Sequence, residues 1–128
     1  MIQPPRKPLK WMGSSKKDLI SMPEDVKDVF GFAIDLAQAG LKHADAKPLK
    51  GFGSAGVLEV VESDEGGTYR AVYTVRLAGR VYVLHCFQKK SPKGIETPKV
   101  DIDLIKSRLK DAEAEHAIWL KQAKGARK

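Results

Sequence analysis

The stretch 68-TYRAVYTVRLAGRVYVLHCFQKKSPKGIETPK-99 decides the fold. Its first part alternates, with Tyr69, Ala71, Tyr73 and Val75 on one side and Arg70, Val72, Thr74 and Arg76 on the other, the period of a strand with two distinct faces. Ala78-Gly79 offers a tight turn into "RVYVLHCF", a run apolar along nearly its whole length and so a strand covered on both faces. Folding a hairpin at that turn sets Arg70 opposite Phe87 or Gln88. The most hydrophobic strand of the chain then runs straight into "QKKSPK". Arg70, Lys89 and Lys90 are therefore expected at one end of the sheet, within side-chain reach, with Lys93 just beyond and Lys50 arriving from a loop. A packed core has no use for these cations, whereas a phosphate site on a rigid sheet is built from such groups.

Working outward, "VLEVVE" (57–62) precedes the Ser63–Gly67 turn and supplies a third antiparallel strand. Upstream, "SMPEDVKDVFGFAIDLAQAG" (21–40) reads as a helix over Pro23–Ala39. Ser21 and Glu24 have capping-box spacing, Gly40 is the stop, and Val26, Val29, Phe30, Ala33, Ile34 and Ala37 form one apolar stripe. "SSKKDLISM" (14–22) suits a short helix, Leu9–Met12 an edge strand, and 41–56 a loop rich in Gly and Ser. Downstream, Thr97-Pro98 opens a second long helix, with Asp101 and Asp103 at its positive end and Ile102, Ile105, Leu109, Ala112 and His116 on one face. The predicted order is β-α-α-β-β-β-α, a small α+β fold with an antiparallel sheet and helices packed on it. One domain over 1–128 is expected, with 1–6 and 121–128 as frayed tails.

Composition narrows the function classes. Of 128 residues, 42% are hydrophobic and 30% charged, ordinary for a globular chain, and the formal net charge is +7. Residues 70–128 carry 14 Lys and Arg against 6 Asp and Glu, whereas residues 1–69 carry 9 against 10, so the excess lies in the second half. That asymmetry points to a polyanionic partner. The single Cys86 excludes an intrachain disulfide and fits a reducing cytoplasm. No segment approaches the roughly 18 apolar residues of a membrane span, and the N-terminus lacks the apolar region of a signal peptide. No metal or cofactor signature is present. "KGFGSAG" (50–56) neither follows a strand nor opens a helix, as a phosphate-binding loop would. His43 reads as a solvated loop residue, Cys86 as a small core hydrophobe and His116 as packing on a helix face. His85, inside the central strand, is either a packed histidine or a base.

The quoted motifs "GTYRAVYTV" and "VLHCFQKKSPKGIETPK", with "KPLKGFG", "LEVVES" and "IDLIKSRL" around them, resemble the RelE/HigB superfamily of toxins, specifically its phage-derived HigB-like branch, over roughly residues 7–112. The resemblance implies a RelE-like fold and a ribosome-dependent, metal-independent endoribonuclease that cleaves messenger RNA and needs no cofactor. It also implies a cognate helix-turn-helix antitoxin as partner, besides ribosome and message. Arg70 matches the arginine of the family's "YR" motif, expected on the scissile phosphate, and Lys89 or Lys90 a basic residue after the last strand. His85 remains a candidate base, and Lys47, Lys50, Arg76, Lys93 and Lys99 are candidate RNA and ribosome contacts. The chain departs from the family pattern at Leu58, Glu59 and Val60, where some relatives carry lysines, and no Tyr follows Tyr82. A ParE-like toxin that inhibits DNA gyrase without nuclease activity, or a non-toxic nucleic-acid-binding module, are the alternatives.

Overall fold

The computed structural model describes residues 6–53, 56–89 and 97–126. The elements follow the order β1 (Leu9–Trp11), α1 (Ser15–Ile20), α2 (Glu24–Gln38), β2 (Lys47–Pro48), β3 (Val57–Asp64), β4 (Gly67–Thr74), β5 (Val81–Lys89) and α3 (Lys99–Ala126). This is the α+β order expected from the sequence, with one addition. Lys47 and Pro48, assigned to a loop by their Gly- and Ser-rich surroundings, pair with Glu59 and Leu58 as the two-residue strand β2. The sheet runs β1-β5-β4-β3-β2 and is antiparallel except for β1, which pairs parallel with Val81–Val83 of β5. The parallel pair is possible because α1 and α2 lie between the two strands in the chain and supply the crossover that parallel pairing requires.

The sheet is covered on both faces. On one side α2 lays Val26, Phe30, Ala33, Ile34 and Ala37 against Val60, Tyr69, Ala71, Tyr73, Val81 and Val83. On the other side α3 presents Ile105 and Ala112 to Val57, Val72, Tyr82, Leu84 and Phe87. Val72 and Tyr73 thus enter different cores, as the alternation of β4 dictates. Hairpin pairing places Arg70 opposite Phe87, as the turn at Ala78-Gly79 implies. The register slips once: Val72 faces His85 but Tyr73 faces Val83. Leu84 is the additional residue, so the bulge sends both Leu84 and His85 toward α3.

One local expectation is corrected. Ser21 and Glu24 form no capping box: Pro23 is the N-cap of α2 and makes no side-chain hydrogen bond. Ser21 closes the preceding helix instead, its hydroxyl donating to the Asp18 carbonyl at 2.8 Å. At the tails, Arg6 is tied to the Asp35 carboxylate, and α3 continues through 121–126. Gly40 does end α2, with φ +81° and the Leu41 N–H on the Leu36 carbonyl at 2.8 Å. Among the described residues no helix is long and apolar enough to cross a membrane.

Ile105 has no solvent exposure and holds α3 to the sheet. Ile105→Ala is expected to lower the unfolding free energy by about 2–5 kcal/mol, seen as an earlier urea midpoint with an unchanged slope. An unshifted midpoint would mean that α3 contributes little to this face.

Candidate functional site

Arg70 and Glu59 both point to the α3 side of the sheet. Glu59 pairs in register with Val72, and Arg70 with Val61, so the two charged side chains sit diagonally on adjacent strands. The guanidinium is 3% exposed and the glutamate 6%. Arg70 Nη1 donates to Glu59 Oε2 at 3.0 Å and to Thr97 Oγ1 at 3.1 Å, which ties the residues just before α3 to the sheet. Together with Lys47, Lys50 and Ile102 they line a cavity of about 560 Å³. Lys47 Nζ lies 4.0 Å from Glu59 Oε1 and is largely exposed, so an exposed cation stands over the buried pair.

A second cavity, of about 910 Å³, opens on the other side of the α3 N-terminus and is lined in part by His85, Phe87, Lys89 and Asp101. The bulge turns the Leu84 carbonyl and the His85 ring toward α3. Arg108 meets both, with Nη1 donating to Leu84 O at 2.9 Å and lying 3.4 Å from His85 Nδ1. A guanidinium only donates, so Nδ1 is the acceptor and His85 carries its proton on Nε2. That N–H faces Asp101 Oδ1 at 2.8 Å. The ring stacks on Phe87, with centroids 4.4 Å apart. Burial lowers the pKa of His85, and the Asp101 carboxylate opposes that shift without cancelling it. His85 is accordingly a neutral, doubly held ring.

These placements modify the expectations. Arg70 is a buried, ion-paired group, and the register sets Lys89 diagonally from it on β5, at the same end of the sheet. Lys50 and Lys47 share its cavity, while Lys89 lines the other together with His85. Arg76 is exposed beyond the opposite end of β4, and Lys99 is exposed at the first residue of α3. Neither lines a cavity with Arg70. Lys90 and Lys93 lie outside the described residues. Cys86 is a core residue whose thiol is pushed up to about 12 by burial. His116 is buried against Tyr82, whose hydroxyl lies 3.0 Å from Nδ1. Glu59 is the residue that the sequence pattern concealed. Its signal was available: a lone charge at an inward position of "VLEVVE", on the face that hairpin pairing gives to Arg70. Among the described residues no three His, Cys, Asp or Glu side chains converge as a metal set would.

A sheet clasped between helices, with a carboxylate–guanidinium pair at the base of a lysine-rimmed cavity, defines a small α+β protein with a preorganised polar centre. Residues 17–110 match the family described as phage-derived protein Gp49-like (DUF891). The chain belongs to that family, in line with the phage-derived branch that "GTYRAVYTV" and "VLHCFQKKSPKGIETPK" resemble. No curated protein matches it significantly. Among solved structures, the toxin–antitoxin complex RelBE2 from Mycobacterium tuberculosis is similar at 24% identity, over 66% of this chain and 99% of the matched chain, with a TM-score of 0.43.

Breaking a buried pair strands the remaining charge. Glu59→Ala is expected to cost about 3–5 kcal/mol, and replacing Glu59 and Arg70 together with Met to recover most of it. Urea titration of the three proteins checks this, and a single variant as stable as the parent would show that water reaches Arg70.

The histidines set a pH dependence. Burial lowers the pKa of both His85 and His116 in the folded chain. The unfolded chain therefore takes up these protons first, at about pH 6.5. Stability is complete above that pH and declines as pH falls below it toward the folded values. Urea midpoints at pH 7.5 and pH 5.5 are expected to differ in that direction, and equal midpoints would mean that neither ring is perturbed.

Proposed function

We propose that this chain is the toxin of a toxin–antitoxin pair and that it cleaves messenger RNA on the ribosome without a metal. The supporting observation is the Glu59 carboxylate held 3.0 Å from Arg70 inside a cavity whose rim carries Lys47 and Lys50. Cleavage by an internal nucleophile needs a base for the ribose 2′-OH and positive charge for the phosphorane that develops. Glu59 accepts the 2′-hydroxyl proton as that oxygen bonds to phosphorus. Arg70, already fixed by Glu59 and Thr97, stabilises the added charge at no reorganisation cost. The lysine rim holds the strand, and an ammonium of Lys47 or Lys50 gives the departing 5′-oxygen its proton. The bond from phosphorus to the 5′-oxygen breaks, leaving a 2′,3′-cyclic phosphate and a 5′-hydroxyl.

His85 does not fit the role of base in this scheme, because Arg108 faces its acceptor nitrogen and its Nε2–H is donated to Asp101. Its part is to fix the start of α3, and with it Thr97. The antitoxin is the natural cover for the basic half of the chain, where complementary charge speeds association. The ParE-like alternative draws support from one feature: Arg70 is neutralised by Glu59 instead of being presented alone to a phosphate. A gyrase inhibitor would need no more than that.

Glu59→Gln is isosteric and retains an oxygen for Arg70, so it separates base from scaffold better than Arg70→Ala, which would also leave Glu59 buried without its counter-ion. In a ribosome-programmed cleavage assay Glu59→Gln is expected to lose about 10²–10⁴ in rate, and Arg70→Lys about 10²–10³, with ribosome binding and folded signal retained. Cleavage by Glu59→Gln at the parent rate would remove the base. Growth arrest with no new message 5′ ends, together with loss of supercoiling by purified gyrase, would replace the nuclease by the gyrase reading.

A further inference from the structure

The larger cavity takes no part in the bond-making just described, yet it lies close to it. Arg70 lines the small cavity, and its cross-strand partner Phe87 lines the large one. Thr97 lines the small cavity and Pro98 the large, and Ile102 and Asp101 repeat the division one turn on. The first turn of α3 is the divider. A single nucleotide laid across that turn would put its phosphate on one side and its base on the other. The volume of about 910 Å³ falls in the range of roughly 300–1,000 Å³ typical of small-molecule sites.

The walls of this cavity have a definite polarity. It opens where β1 stops, since β1 covers only Val81–Val83 and no described strand pairs with the rest of that edge of β5. Asp101 enters it with Oδ1 occupied by the His85 N–H, and the ring is held from behind by Arg108 and Phe87. The carboxylate is thereby aimed, and among the described residues its Oδ2 takes no hydrogen bond. Asp18 faces the cavity from α1, oriented by the Ser14 hydroxyl at 2.7 Å on Oδ2. Tyr69 and Phe87 add aromatic surface, and Lys89 adds a donor.

Building on the nuclease reading, we infer that the large cavity is a nucleobase subsite that takes the base adjoining the scissile phosphate and selects guanine. Ionised carboxylates only accept hydrogen bonds. Of the four RNA bases, guanine alone offers two adjacent donors, N1–H and the N2 amino group, on one edge. Adenine and cytosine set an acceptor beside their donor, which would face carboxylate lone pairs, and uracil flanks its one donor with two carbonyls. Lys89 supplies the donor that guanine O6 needs, and the aromatic rings supply the apolar contact on which single-stranded bases settle.

Two measurements test this on the full chain. Titration with guanosine, adenosine, cytidine and uridine 5′-monophosphates, followed by NMR at residues 85–88 and 101, is expected to show guanosine binding about tenfold or more tighter than the others. Asp101→Asn retains an oxygen for His85 but turns an amide toward the base, so it is expected to erase that preference while melting like the parent. Asp18→Asn, on the opposite wall, gives a second variant should Asp101→Asn fold poorly. Mapped message ends are expected next to guanine for the parent and spread over all bases for Asp101→Asn. Equal binding of the four mononucleotides, or cleavage without guanine preference, overturns the base subsite and leaves the nuclease reading standing. Guanosine-selective binding at this cavity in a protein that cuts no message supports the subsite and overturns only the nuclease.

Discussion

A guanidinium sealed inside a small sheet protein is the constraint around which one whole face is arranged. Arg70 is 3% exposed, on a strand whose next four residues are buried as well. Removing such a charge from water costs several kcal/mol, which only a close, well-oriented counter-ion offsets. Glu59 provides it from β3, and the Thr97 hydroxyl takes a second N–H from just before α3. Three segments distant in sequence are thereby fixed to one planar group. A buried pair of this kind adds little net stability over an apolar replacement; its consequence is geometric. The carboxylate, the guanidinium and the first turn of α3 have a single arrangement relative to one another, which is what a site acting on a developing charge requires.

The bulge at Leu84 does a comparable job on the neighbouring strand. Without the additional residue, Leu84 and His85 would point to opposite faces, and only one of them could lie on the α3 side. With it, His85 meets Asp101 and Arg108, and the Leu84 carbonyl finds a charged donor in Arg108. Arg108 also reaches the Ser14 hydroxyl at 3.2 Å, so the same guanidinium joins α3 to the start of α1 across the edge of β5. The lowered pKa of His85 fits this arrangement, in which a neutral ring bridges a carboxylate and a cation. A base would need an accessible lone pair, and this ring has committed both nitrogens to the frame.

Much of this was legible in the chain before folding. The alternation of 69–76, the Ala78-Gly79 turn and the two helical stripes were enough to give the element order and the partner of Arg70, because each depends on neighbours within about twenty residues. The parallel seat of β1 and the two-residue β2 were not, since short strands carry too few residues for a period to show. The Ser21–Glu24 spacing misled because Pro23 takes the cap position and Ser21 turns back onto α1. The pairing of His85 with Asp101 depends on where α3 docks and on a one-residue bulge, neither of which periodicity encodes. Glu59 is hidden for a different reason: a lone carboxylate carries no period of its own, and its partner Arg70 lies on the next strand.

Charge counting and the proposed cleavage make different demands on the chain. The excess of basic residues after Arg70 creates a field that draws in a polyanion, and that effect is additive and long-ranged. The proposed chemistry within the cavity has the opposite requirement, a proton acceptor a few ångströms from a cation, and so a local balance near zero. In that reading Lys47 and Lys50 serve attraction, while Glu59 and Arg70 are matched to each other. A lone cation cluster of the kind expected from Arg70, Lys89 and Lys90 would bind phosphate tightly and equally in ground and transition states, which does not accelerate cleavage. In the proposed reading, setting a carboxylate into that cluster weakens simple binding and supplies the acceptor that attack by a 2′-hydroxyl needs.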